Sequence, residues 1–251
     1  MSAINTNAHL SIAQEAATLA GKFLVKNDRS RIQVNAEEGK DIKIDADVQS
    51  EKVILDHLIK HTPYSILSEE KGLMEREESD YLWVVDPLDG TMNYFRGIPV
   101  CCTSIGLWRD GEPVSGVVYN FNTQECFTGI VGEGAWLNGE QISVTNMDNK
   151  EKAVLSTGFP SYTDFSDEAV KSFVVDLQTY KKIRMIGSAA MSICYVACGR
   201  VDAYYERDIM FWDIAGGIPV VLGAGGTVEK VQAKAAHAFN VFISNGKLGS
   251  L

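Results

Sequence analysis

The sequence predicts a mixed α/β protein with helices layered on sheet, and three observations carry that prediction. Apolar residues recur at three-to-four spacing near the amino terminus. Short apolar runs punctuated by turn residues fill the stretch from residue 66 to 127, and helix-like and strand-like segments alternate after residue 152. A chain of 251 residues can bury a sizeable core, as one large domain or as two fused parts. With 45% apolar and 22% charged residues it has the composition of an ordinary globular protein.

The first helix is expected over residues 10–24, where Ile12, Ala16, Leu19 and Phe23 recur on one side with Ala13, Ala17 and Ala20 beside them. A second is expected over residues 48–59. Between them and residue 131 the runs SIL, YLWVV, VCCTSIGLW, VSGVVYNF and CFTGIV read as strands. The polar stretch VTNMDNKEK, residues 144–152, reads as a boundary, dividing the chain into parts 1–145 and 146–251. In the second part, residues 188–198 and 212–222 suit buried helices, residues 202–205 suit a strand, and GAGGTV turns the chain into another strand.

Charge and cysteine content narrow the function classes. A formal net charge of −10 offers no broad basic face, so nucleic acid is not an expected partner. The amino terminus shows no basic start followed by an apolar run, so neither a membrane anchor nor a secretory leader is expected, and a cytoplasmic location is. Five cysteines, two of them adjacent at Cys101 and Cys102 and two at helical spacing at Cys194 and Cys198, make a poor disulfide framework. They read as buried apolar thiols.

The stretch LWVVDPLDGTMNYFRGIP, residues 82–99, is the most informative, because an apolar strand runs directly into two aspartates three apart. Carboxylates at a strand exit meet in the crevice where ligands of α/β sheets bind. The competing reading is a turn, since Asp, Pro and Gly are the residues that turns select. Further acids embedded in apolar sequence favour the crevice: Glu69 and Glu70 follow Ile66-Leu67-Ser68, and Asp213 lies between Trp212 and Ile214. If Glu69, Asp86, Asp89 and Asp213 converge, a hard divalent cation with oxygen ligands is their natural neutraliser, and Mg2+ fits best. His9, His57, His61 and His237 occur singly and read as surface or core residues.

These residues also carry a resemblance. Glu69-Glu70, Asp86-Pro87-Leu88-Asp89-Gly90-Thr91 with Asn93-Tyr94-Phe95, and Trp212-Asp213-Ile214-Ala215-Gly216 are similar to the signatures of the inositol monophosphatase superfamily. The likeness extends through Asp47 and Glu51, the segment GVVYN at 116–120, GEGAWLNG at 132–139, Gly158-Phe159-Pro160 and Ser244-Asn245-Gly246. It implies an αβαβα sandwich and a magnesium-dependent phosphatase acting on inositol monophosphate or a similar polyol phosphate. It implies two or three Mg2+ ions, one on Glu69, Asp86 and the Leu88 carbonyl and another on Asp86, Asp89 and Asp213. Glu69, Thr91 and Asp86 take the catalytic roles, with Glu69 and Thr91 orienting and deprotonating the attacking water. The amides of Gly90 and Thr91 would hold phosphate. Gly187, Ser188, Ala189, Glu206 and Asp213 would contact the alcohol. A homodimer and sensitivity to lithium are implied as well.

Other substrates within the superfamily remain open: a 3'-phosphonucleotide, a sugar bisphosphate or histidinol phosphate. So does a binding or regulatory protein that retains the fold. For Glu206 the residues themselves leave open an exposed acid paired with Arg207. Two features depart from the family pattern: Lys43-Ile44 stand where Val-Thr is common, and the chain ends at Leu251, soon after Asn245-Gly246. Replacing Asp89 by Asn is expected to abolish turnover and leave folding largely intact.

Overall fold

The computed structural model describes residues 5–27, 34–38, 41–76, 79–159 and 166–249, with side chains described for all of these except 34–38 and 41–43. Pro160 and the Lys43 side chain therefore lie outside the described residues.

Helix α1 (Thr6–Lys26) begins at Asn5, whose side chain accepts from the Ala8 amide at 3.1 Å. It buries Leu10, Ala13, Ala16, Ala17, Ala20 and Leu24, whereas Leu19, expected on the buried side, is exposed and Ile12 and Phe23 are half-buried, so the packed face is centred on the alanines. A hairpin of β1 (Val34–Glu38) and β2 (Asp41–Ile44) leads into α2 (Asp45–His61). Then follow β3 (Ser65–Ser68), β4 (Gly72–Met74), β5 (Tyr81–Asp89) and the short helix α3 (Thr91–Arg96). Strands β6 (Cys102–Arg109), β7 (Glu112–Asn120), β8 (Glu125–Ile130), β9 (Gly134–Leu137) and β10 (Glu140–Gln141) come next, joined in turn to their neighbours. Together they make an eight-stranded sheet in the order β10-β9-β8-β7-β6-β5-β3-β4, antiparallel except where β3 and β5 run parallel.

The second sheet begins after a 3-10 turn at Lys150–Lys152 and has the order β12-β11-β13-β15-β14. Its strands are β11 (Val154–Thr157), β12 (Lys182–Arg184), β13 (Ala203–Met210), β14 (Thr227–Gln232) and β15 (Ala238–Ser244). Between them lie α4 (Asp167–Leu177), α5 (Ala189–Ala197), α6 (Phe211–Ala215) and α7 (Gly217–Gly223).

Packing orders these elements into five layers. Helices α1 and α2 cover one face of the large sheet through Ala16, Ala20, Ile54, Leu58, Trp83, Ile105 and Val117. Helices α5, α6 and α7 fill the space between the two sheets, burying Met191, Ile193, Ile214 and Val220 against Val84, Val118, Tyr204 and Ile243. Phe173 and Leu177 of α4 close the outer face of the second sheet with Leu155, Tyr205 and Phe242. The middle core thus draws on both halves of the chain. Among the described residues, no helix is long and apolar enough to cross a membrane.

One expected helix is two. Residues 212–222 are apolar apart from Asp213, but α6 ends at Ala215 and α7 starts at Gly217. Pro219 has no amide to give the Ala215 carbonyl, and the indole Nε1 of Trp108 donates to that oxygen at 3.1 Å instead. Beneath the break lies a cross-strand row of glycines, Gly106 paired with Gly116 and Gly116 with Gly129. A Cβ at these positions would fall on the backbone of Ala215, Gly216 and Val220, so the helices rest directly on the sheet.

Candidate active site

Parallel pairing of β3 with β5 brings the first two carboxylates together. Ser68 pairs with Val85, and the Glu69 amide donates to the Val85 carbonyl at 3.2 Å, so Glu69 and Asp86 leave adjacent strands at the same end. Strand β5 then slips register against β6 between Asp86 and Asp89. The Leu88 amide donates to Asp86 Oδ1 at 2.9 Å, closing a turn that re-aims Asp89. The turn reading of DPLDG is therefore present, with both aspartates at the exit of β5. Gly90 is left-handed (φ 86°) and caps α3, which begins at Thr91.

Asp89 reaches across to the second half. Its Oδ2 accepts from the Ser188 hydroxyl and from the Ala190 amide at 2.9 Å, and its Oδ1 accepts from the Ala189 amide at 3.3 Å. A carboxylate on the first amides of α5 is favoured by the positive end of the helix dipole. Ser188 and Ala189, expected on the alcohol, are thus engaged with Asp89. Asn93 makes a second tie, donating to the Val100 and Ile186 carbonyls at 2.7 Å each, and left-handed Gly187 packs on its side chain.

Asp213 lies in the first turn of α6, its Oδ2 accepting from the Met210 amide at 3.2 Å. Glu206 sits on β13, 7% exposed, with Oε2 accepting from the Tyr204 hydroxyl at 2.6 Å. It is not the exposed partner of Arg207, which turns to Tyr205 and Asp176. Thr91 donates from Oγ1 to the Leu88 carbonyl at 3.0 Å and lies 3.3 Å from Asp47 Oδ1. The Asp47 contact has no signal in residue spacing, because it joins positions 44 apart. The four histidines hold no place in this arrangement. His9 bonds the Tyr64 hydroxyl, and His57 lies beside His61 and Glu15. None of the five cysteines is in a disulfide, and Cys102 lies 3.5 Å from Asp89 Oδ2.

The carboxylates sense one another strongly. Burial holds Asp86 well above the usual carboxylate range, and the charges of Glu69, Asp89 and Asp213 push it further. Burial does the same to Asp213, reinforced by Glu69, Asp89 and Glu206. Asp89 is raised by burial against the opposing pull of its Ser188, Ala190, Cys102 and Ala189 donors. Glu206 is pushed up to about 7 by burial, with the Tyr204 hydrogen bond lowering it and the charge of Asp89 adding to the rise. Among the described residues, no three His, Cys, Asp or Glu side chains are drawn into a ready coordination shell. Asp86, Asp89 and Asp213 each accept from a backbone amide. The donor set nonetheless fits a hard divalent cation. Its donors are carboxylate oxygens, they destabilise one another as anions, and two positive charges at their centre would reverse that penalty.

The layered α/β fold, with Glu69, Asp86 and Asp89 at the ends of neighbouring strands, is that of a class of metal-dependent phosphatases whose solved members it superposes on. The chain belongs to the inositol monophosphatase family, whose model matches residues 6–248, and it is a phosphatase of that superfamily. Members of the family are generally metal-dependent. Among its relatives, the Nus factor SuhB of Xylella fastidiosa is 40% identical over 87% of this chain and 80% of that one. The inositol-1-monophosphatase of Synechocystis is 36% identical over 95% and 85%. The solved inositol monophosphatase of Anabaena superposes with a TM-score of 0.82 at 37% identity, covering 97% of this chain and 93% of that one.

Proposed function

We propose that this protein hydrolyses inositol monophosphate or a similar polyol phosphate to the free alcohol and inorganic phosphate. The observation that carries the reading is that Glu69 and Asp86 leave the parallel pair β3 and β5 at the same end, with Asp89 and Asp213 near enough that their charges add to the burial that raises Asp86. Four acids from three separate chain segments share one region, which a hydrolase handling an anionic ester with Mg2+ requires. Glu69, Asp86 and the Leu88 carbonyl would hold one ion, and Asp86, Asp89 and Asp213 another. When bound, such ions supply positive charge to the phosphoryl and leaving oxygens as negative charge builds there.

The chain's own groups supply the rest. Thr91 gives its hydroxyl proton to the Leu88 carbonyl, so an Oγ1 lone pair is available to orient an attacking water. Glu69 accepts that water's proton on its carboxylate. Amides of Gly90 and Thr91, at the start of α3, bind phosphate oxygens. Glu206, held by Tyr204 and backed by Gly158, accepts hydrogen bonds from ring hydroxyls of the alcohol. From the family likeness we extend the reading to a homodimer and inhibition by lithium. The parts 1–145 and 146–251 would act as subdomains with the site between them.

Phosphate release from myo-inositol 1-phosphate, a 3'-phosphorylated adenosine nucleotide and a sugar bisphosphate, with and without Mg2+, tests this directly. Mg2+-dependent turnover highest on the inositol ester is the expected result. Preference for another ester would retain the acidic site and overturn the role given to Glu206. A second reading, a binding protein on the retained fold, draws support from the relative named Nus factor SuhB. Absence of turnover on every ester would favour it.

A further inference from the structure

Helix α2 carries two buried acids one turn apart, Asp47 and Glu51, 3% and 0% exposed. Residues four apart share a helix face, so both point towards the same side. Asp47 faces the Thr91 hydroxyl and accepts from the Ile44 amide at 2.9 Å. Glu51 serves the other side of the site. Its Oε1 accepts from the Ser68 hydroxyl and from the amides of Glu70 and Lys71, each at 3.2 Å. These donors flank Glu69 before and after, while the Glu69 amide itself is tied to Val85. One carboxylate oxygen therefore grips the turn on which Glu69 is mounted. The second oxygen, Oε2, is buried with no hydrogen-bond partner. A buried acid carrying an orphaned oxygen is a cost to the fold that core packing does not explain.

We propose that Glu51 is a positioning residue that fixes the Glu69 turn for cation binding. Through Glu51, α2 then sets Glu69, one of the groups that prepare the attacking water, against a rigid element. This rests on the reading of Glu69 as a metal ligand, and the test separates the two.

Mn2+ binding to the substrate-free protein, followed by loss of the free-ion EPR signal, is compared across four variants. Glu69→Gln identifies the Mn2+ site that depends on Glu69. If it weakens none, the ligand reading itself fails and the proposal falls with it. At the site so identified, Glu51→Ala should bind Mn2+ at least about tenfold more weakly, the scale on which groups that orient metal ligands act. Glu51→Gln keeps an oxygen for the three donors and should stay within about threefold of the parent. Leu58→Ala, in the core on the same helix, should lower thermal stability and leave Mn2+ affinity unchanged. Unchanged affinity in Glu51→Ala alongside weakened Glu69→Gln would overturn the positioning role. So would equal losses in Glu51→Ala and Glu51→Gln, which would put the effect in charge, or an equal loss in Leu58→Ala, which would make it general destabilisation. If Glu51→Ala does not fold, Ser68→Ala removes one donor, and a severalfold weakening there decides the same question, unchanged affinity overturning the role.

Discussion

Glu206 brings its carboxyl into a place shaped on two sides, by the Tyr204 hydroxyl and by Gly158, where a Cβ would lie 2.6 Å from Oε2. Because the folded protein holds this proton more tightly than the unfolded chain does, the group's contribution to stability is complete below the ordinary glutamate range. It is lost as pH rises through about 7. Asp86 and Asp213, raised by burial and by their neighbours, act in the same direction. Thermal unfolding of the metal-free protein should therefore fall in temperature between about pH 5 and pH 8, and less steeply in Glu206→Gln. Parallel profiles for parent and variant would show that Glu206 ionises at its ordinary value. Asp89 changes an expectation drawn from sequence. An amide in its place turns an NH2 either towards the Ser188 hydroxyl and the Ala190 amide or towards the Ala189 amide, leaving at least one donor unmatched at a cost of about 1–3 kcal/mol. Asp89→Asn should thus lose Mg2+-dependent turnover and also unfold at lower urea, where unchanged denaturation midpoints would contradict the contact with α5.

Helices α6 and α7 lie on the sheet because Gly106, Gly116 and Gly129 lack side chains. Gly116→Ala places a methyl against the Gly216 carbonyl, and backbone cannot swing aside as a side chain can. A loss of at least about 1–3 kcal/mol in urea unfolding is expected, together with reduced phosphate release as α6 carries Asp213 away from Asp86. Unaltered stability would show that the helix layer floats free of the sheet. The strands themselves were legible, since SIL, YLWVV and VSGVVYNF are β-branched and aromatic runs between turn residues. So was α1, from its alanine face. The break at Gly216 was not, because Trp108, over a hundred residues earlier, takes the carbonyl that ends α6. Helix α4 was missed for a local reason: Ser166 caps it and Asp167 and Glu168 open it, but Val170, Val174 and Val175 speak for strand and are mostly exposed.

Across the whole molecule, the legible part of the site is the part made within one sheet. Asp86 and Asp89 declare themselves where an apolar strand meets charge, and Glu69 follows from a neighbouring strand end. Asp213 was marked by its apolar setting between Trp212 and Ile214, but that it returns over the large sheet has no signal in local pattern. The contacts that no spacing could reveal are those between halves: Asp89 on the start of α5 and Asn93 on the Ile186 carbonyl. They have a consequence in time. Strands β6 to β10 join neighbours in sequence and can pair as the chain lengthens, whereas Asp89 waits for amides about 100 residues further on. A nascent chain on the ribosome can therefore finish its large sheet with the acidic crevice still unsupported. Hydrolytic competence arrives only with the later polypeptide, so a truncated product of interrupted translation carries the motif without the enzyme.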